Sequence, residues 1–218
     1  WYDNARIRTN NIVYVDPDAS GAGNGTSWTD AYPTLYDALD AQPAVVAEVW
    51  VASGTYNPDQ GESVTPGDRS ASFVLPNATF LYGGFDGTNG AGGGAQETQR
   101  EQRNPNPSTN GTVLSGDQGV QGFEPDDTYH VVTIPSEAEA LIDGVTIAGG
   151  LAEASETSTN QGAGILAGAD SRLTVRNAVI DDNETRGSGG DGAGIYSDGT
   201  LVLDDVLLSN NIASGDGG

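Results

Sequence analysis

Apolar and polar residues alternate in short runs along most of the chain, and beyond residue 140 one run recurs. Ile142-Asp143-Gly144-Val145-Thr146-Ile147, Val175-Arg176-Asn177-Ala178-Val179-Ile180 and Leu203-Asp204-Asp205-Val206-Leu207-Leu208 share a template. Each is a strand, a polar pair and a second short strand, closed by Gly149-Gly150, Asp182-Asn183 or Asn210-Asn211. The copies lie 33 residues apart from Ile142 to Val175 and 28 from Val175 to Leu203. Two of them follow matching segments, Gly162-Ala163-Gly164-Ile165 and Gly192-Ala193-Gly194-Ile195. A period of two argues for strands. Variable spacing around a fixed strand–turn core predicts a coil of parallel strands, stacked at about 4.8 Å, with insertions looping outward. Asn183 and Asn211, at an inside turn, are placed to bond their amides to the coils above and below. An antiparallel sandwich would want tight two-residue turns, which the strand–Asp-Asp–strand pattern suits less well.

The N-terminal half is less regular. Asn11 to Asp16 reads as a strand, followed by a Gly/Asp loop through Trp28. Pro33-Thr34-Leu35-Tyr36-Asp37-Ala38-Leu39-Asp40 predicts a helix over about 33–42. Thr34 is its N-cap, Asp37 completes a pair like a capping box, and Leu35, Ala38 and Leu39 form its apolar face. A short amphipathic helix ahead of the first coils would cover an open β edge. Glu48 to Ala52 and Phe80 to Phe85 read as strands, and about 86–112 reads as a long loop of a length that is usually functional or mobile. Val113 to Asp117 and His130 to Ile134 re-enter the coil, and regular coils are expected over about 130–218. The expected organisation is an extended arm, 1–10, and one all-β parallel β-helix domain, 11–218.

Charge narrows the partners. The chain has 218 residues and a net charge of -23, with 31 acids, eight bases and no Lys. Phosphate recognition needs cations, so nucleic acid and anionic lipid are not expected partners. The acidity suits solubility, and more sharply calcium binding. There is no cysteine, hence no disulfide or thiol chemistry. No apolar run approaches the ~18 residues of a transmembrane helix. The chain begins Trp1-Tyr2-Asp3-Asn4 without Met or a signal peptide, as a processed or trimmed N terminus would. Asn24, Asn77, Asn110 and Asn183 begin Asn-X-Ser/Thr sequons, which are candidate glycan sites in a secreted chain.

Candidate chemistry is sparse. Asp181, Asp182, Asp204 and Asp205 are the acids that stacking coils could gather for acid–base work, which needs carboxylates about 5–10 Å apart. Neighbours on a strand point to opposite faces, and Asp is also a natural turn residue, the weightier reading here. His130 is the only histidine, which excludes a multi-His metal site; in its strand run it reads as structural. Asp16 and Asp18, with Gly21 after them, faintly suggest a calcium loop but lack the third acid and terminal Glu of an EF-hand. Gly189-Gly190-Asp191-Gly192 approaches but does not match a calcium nonapeptide. Calcium is the one cofactor suggested. Trp28, Trp50 and Tyr82 are candidate stacking platforms for a glycan, although Trp50, inside an apolar strand, reads rather as core.

Several segments carry a family likeness. Val13-Tyr14-Val15-Asp16, Gly25-Thr26-Ser27-Trp28, Leu35-Tyr36-Asp37-Ala38-Leu39 and Val49-Trp50-Val51-Ala52-Ser53-Gly54-Thr55-Tyr56 resemble the start of secreted right-handed parallel β-helix proteins of the pectin-lyase-like class. Tyr82-Gly83-Gly84-Phe85-Asp86-Gly87-Thr88, Arg100-Glu101-Gln102-Arg103-Asn104 and Leu114-Ser115-Gly116-Asp117 are similar to its surface-protein and adhesin branch. The Gly164-Ile165 and Gly194-Ile195 repeats resemble those of polymorphic outer-membrane proteins. The resemblance implies the fold and an extracellular or cell-surface location. It leaves activity open, because the fold hosts lyases, hydrolases, adhesins and structural proteins. Lyases of this class use a basic residue with calcium, but only Arg172, Arg176 and Arg186 lie in the regular coils, and Arg176 reads as a surface charge.

The reading is a non-catalytic structural or adhesive β-helix that assembles head to tail as a homo-oligomer or filament. The assembly residues are Trp1, Tyr2, Arg6 and Arg8 of the basic arm and Gly215, Asp216, Gly217 and Gly218 of the last coil, which ends in either a joint or a cut. The alternative is a polysaccharide-active enzyme or glycan-binding module with extracellular glycans as partners.

Overall fold

The computed structural model describes residues 11–41, 47–89, 95–122, 124–153 and 160–215. The arm Trp1, Tyr2, Arg6 and Arg8, and Asp216, Gly217 and Gly218, lie outside the described residues. Every strand pairing among those described is parallel, as a β-helix requires.

The strands stack in columns. The first column runs β1 (Asn11–Val15), β2 (Ala47–Ala52), β5 (Thr79–Phe85), β8 (Glu139–Asp143), β12 (Arg172–Asp181) and β15 (Thr200–Ser209). The second runs β3 (Gly54–Tyr56), β6 (Thr112–Ser115) and β9 (Thr146–Ala148), then continues in the second halves of β12 and β15. A third stacks β10 (Leu151–Ala152), β13 (Glu184–Thr185) and β16 (Ile212–Ala213). The fourth stacks β4 (Phe73–Val74), β7 (Val132–Ile134), β11 (Ile165–Ala167) and β14 (Ile195–Ser197).

The register is that of the sequence repeat. Val175 pairs with Ile142 on one side and Leu203 on the other. The polar pair has a backbone cause. Its second members, Gly144, Asn177 and Asp205, all take the left-handed conformation (φ 82°, 42° and 56°) and turn the chain from the first column into the second. Gly149, Asp182 and Asn210 do the same at the next corner (φ 75°, 53° and 52°). Gly, Asn and Asp tolerate that conformation best, so these corners select them.

Inside the coil, Val49, Leu81, Ile142 and Val175 form one buried column, Val145 and Ala178 a second, and Ile147 and Ile180 a third. Glycine at two points per repeat follows from packing. Gly162 and Gly192 have positive φ, and a Cβ on Gly164 would lie 2.4 Å from the Gly194 carbonyl oxygen and 3.0 Å from the Asn183 amide.

The N-terminal end is closed by the chain itself. Helix α1 (Leu35–Asp40) is capped by Thr34, whose hydroxyl accepts from the Asp37 N–H, and buries Leu35, Ala38 and Leu39 in the main core. The outer edge of β1 is also occupied: Tyr14 N–H donates to Gly25 O, Tyr32 N–H to Tyr14 O, and Asp16 N–H to Tyr32 O. The expected cap is therefore a helix and a loop together.

The long insertion between β5 and β6 is expected as a loop of a length usually functional or mobile. Where described, it includes a short helix, α2 (Pro107–Asn110), and is pinned to the first column. Arg103 pairs with Asp143 at 2.8 Å, with both side chains largely buried, and Trp28 Nε1 donates to the Glu97 carbonyl.

Candidate functional site

The inside corner between the second and third columns is a ladder of side-chain amides. Asn183 is fully buried. Its Nδ2 donates to Asn211 Oδ1 (2.9 Å) and Asp181 O (2.9 Å), and its Oδ1 accepts from Gly150 N–H (3.0 Å). Asn211 Nδ2 donates to Ile180 O in turn. The pair expected to stack does stack.

That ladder corrects one sequon. A glycan on Asn183 would need the nitrogen that the ladder uses and space that the core fills. Asn110 is corrected for the same reason: it is buried, and its Nδ2 donates to Asn104 O and Gly144 O. Asn24 and Asn77 are exposed on turns, where an acceptor must be.

The four acids do not assemble into an acid–base pair. Asp205 and Asp182 hold different corners of the coil through their left-handed backbones. Asp181 Oδ1 accepts from the Ser209 hydroxyl and the Asn210 amide, and Asp204 lies 3.8 Å from Arg176 Nε. These are turn and surface roles. Asp16 and Asp18 are each engaged by partners within the protein. Asp16 is buried and accepts from the Asp18 N–H and from the Thr88 N–H and hydroxyl, while Asp18 accepts from the Asn89 amide. Among the described residues no three metal-ligating side chains of the His, Cys, Asp and Glu types gather. Asp16 instead ties the first strand to the turn after β5.

His130 bonds through Nδ1 to the Gly162 carbonyl, and burial pushes its pKa below the ordinary 6.5. It bridges consecutive coils. The aromatic platforms are also corrected. Trp28, Trp50 and Phe85 pack together on the outer side of the first column, with the Trp50 and Phe85 rings stacked 4.7 Å apart. Tyr82 lies beneath the guanidiniums of Arg100 and Arg103, 4.8 and 5.4 Å from its ring centre. These rings are a second, smaller core under the insertion, with no face left for a sugar. Sequence reasoning placed Trp50 in the core, but the core in question is on the opposite face of the sheet.

Two surface features remain. The first is a shallow groove of about 670 Å³ along the outer face of the first column, with Phe80, Leu141, Thr174 and Val202 along it. Arg100 at its edge is tied to Glu48 and the Tyr82 hydroxyl, whereas Arg172 pairs with no acid among the described residues. Neither Arg172 nor this groove was legible as a site, because its residues come from five strands.

The second feature is the C-terminal coil face. The edge of β15 away from β12 is unpaired among the described residues. Leu203 and Leu208 continue the buried columns of Val175 and Ile180, yet are 42% and 43% exposed. Ile212 on β16 is 60% exposed. Among the described residues, the last coil therefore carries exposed apolar side chains in line with the core columns. Gly215, the one described terminal assembly residue, donates its N–H to Gly190 O and closes the third-column corner rather than the open edge.

A family model described as a protein of unknown function, DUF1565, matches residues 19–216. No curated protein and no solved structure matches the chain.

Proposed function

The chain belongs to the DUF1565 family, which is associated with β-helix proteins, and we propose that it is a non-catalytic structural or adhesive β-helix of the cell exterior. Copies assemble end to end through the C-terminal coil face, with the basic arm as the joining segment. The observation that carries this reading is that Asp181, Asp182, Asp204 and Asp205 hold turns and surface contacts rather than a facing pair. Unpaired strand edges flanked by exposed apolar side chains recruit another strand, and β15 is such an edge among the described residues. A head-to-tail contact that does not close gives a filament. In these roles Asp181, Asp182, Asp204 and Asp205 do not form the two facing carboxylates that hydrolysis uses.

Sedimentation velocity and negative-stain microscopy across a concentration series test this. The chain should form elongated oligomers that Leu203→Lys with Leu208→Lys disperses, with the circular dichroism of the fold retained. A wild-type chain that stays monomeric at high concentration sinks the assembly. Glycan cleavage abolished by Asp181→Ala or Asp204→Ala sinks the non-catalytic reading.

A second reading, glycan binding without cleavage, is favoured by the groove over Phe80, Leu141 and Val202 with Arg172 beside it. Loss of glycan-array binding in Arg172→Ala would support it, and an array with no binding would remove it.

A further inference from the structure

We propose that the recess between the turns after β3 and β6 is a calcium site, with Asp59, Asp117 and Gln118 supplying its protein oxygens. The second column builds it. Gly54, Thr55 and Tyr56 of β3 pair with Thr112, Val113 and Leu114 of β6, so the turns that leave the two strands lie one above the other. Asn57 clips those turns together, its Nδ2 donating to Ser115 O (3.2 Å) and Asp117 O (2.7 Å). Asp59, Asp117 and Gln118 line the recess of about 360 Å³ that lies between them.

Two independent observations point to a ligand. The first is Gln118, which is 2% exposed and yet has no hydrogen-bond partner at either Oε1 or Nε2. Buried side-chain amides are normally bonded, so an exception in the wall of a recess marks a missing partner. The second is uncompensated charge. Asp59 is 9% exposed, and its carboxylate accepts only the Gly67 N–H, at Oδ2 (2.9 Å). The two oxygens of Asp117 share one donor, the Gly122 N–H, at 3.0 and 2.9 Å. No basic side chain lines the recess among the described residues. Two carboxylates on one recess repel each other, and burying one is costly unless a countercharge or a metal meets it. Asp16 shows the contrast, because Asp18 and Thr88 engage both of its oxygens.

The donors select the ion. Two carboxylates and an amide oxygen, with neither nitrogen nor sulfur, suit a hard cation. Calcium accepts six to eight oxygens in loose geometry, so water can complete its shell, whereas magnesium demands a near-ideal octahedron. Gln118 Oε1 is the third protein ligand, and Nε2 donates to a water of the shell. A neutral sugar hydroxyl could accept from Nε2 but would leave both carboxylates without a countercharge.

The full-length chain, treated with chelator and dialysed into about 0.15 M salt to screen diffuse binding, is titrated with calcium chloride by calorimetry. One ion should bind per chain, with a Kd of about 10⁻⁴–10⁻³ M, as in extracellular modules. Asp59→Asn and Asp117→Asn keep an acceptor for the Gly67 and Gly122 N–H groups, and each should weaken binding at least about tenfold. Glu101→Gln, at a side chain 73% exposed, should leave it unchanged. Thermal melts are the second arm. In chelator Gln118→Met should melt no lower than wild type, since it removes an unmet buried amide; added calcium should raise wild type alone. No binding by wild type at about 10 mM calcium overturns the proposal. So do several weak ions untouched by Asp59→Asn, which would be adventitious ions only on an acidic surface. A Gln118→Met chain that melts well below wild type in chelator shows that the amide already has a partner, and overturns its role as a ligand.

Discussion

Asn183 donates its side-chain amide to Asn211 Oδ1 across one coil, 28 residues along the chain and 2.9 Å in space. The same side chain accepts from the Gly150 N–H of the preceding coil, so a single buried amide fixes the spacing of three turns. Position 150 carries glycine where the later coils carry asparagine, and its backbone begins the ladder in place of a side chain.

Replacing Asn183 with Ala leaves the Gly150 N–H and the Ile147 carbonyl environment without their buried partner. At about 1–3 kcal/mol for an orphaned buried group, the loss should be about 2–4 kcal/mol, read by urea denaturation. Asn24→Ala, on an exposed turn, should change stability by less than about 0.5 kcal/mol.

Gly164→Ala should lower stability by about 2 kcal/mol or more, because its methyl would press on the Gly194 carbonyl oxygen and the Asn183 amide. Gly189→Ala meets nothing within 4 Å and differs only in its positive φ, so a loss of about 1 kcal/mol is expected. Equal effects in thermal melts would contradict the packing account.

Arg103 and Asp143 are 8% and 10% exposed and bond at 2.8 Å. Arg103→Ala should therefore cost about 3–5 kcal/mol by leaving a buried carboxylate unpaired. Limited proteolysis should then cut within the 95–106 region, which this pair holds on the sheet. Unchanged protection would show that the Trp28 and Tyr82 contacts suffice.

Expressed through a secretory pathway that glycosylates, the chain should carry glycans at Asn24 and Asn77 but not at Asn110 or Asn183. Peptide mass spectrometry after enzymatic deglycosylation reads the occupancy directly. A glycan on Asn183 would mean that modification precedes closure of the coil.

His130 has a folded pKa depressed by burial from the ordinary 6.5. The folded state then binds its proton less readily than the unfolded chain. Its contribution to stability is complete above 6.5 and is lost as pH falls from there through the folded value. His130→Gln should flatten the stability–pH curve in that window relative to wild type, measured by chemical denaturation from pH 7.5 to 5. A curve of unchanged slope would place the titration elsewhere.

Much of the architecture could be read in advance. The offsets of 33 and 28 residues between the strand cores are the register of the ladder, because stacking makes every aligned position a spatial neighbour. The Asn183–Asn211 contact and the α1 cap follow from local signals: an amide at a repeated turn, and Thr34 before an apolar face. What misled was the outward face. Trp28 and Tyr82 look like platforms in the sequence, and the 86–112 segment reads as a long loop of a kind usually functional or mobile. Each is harmless to read alone, but together they bury one another.

The sequence by itself determined the coil, its register, its corners and its cap, since these depend on periodicity and on which residues accept a left-handed backbone. Only the tertiary structure decided which polar residues were still available for function. Burial and hydrogen bonding depend on segments far apart in the chain. Asn183 and Asn110 are consumed inside the fold, Asp16 is tied to Thr88, and Asp204 is exposed beside Arg176. A residue's type names what it can do, and its neighbours in space decide whether it is free to do it.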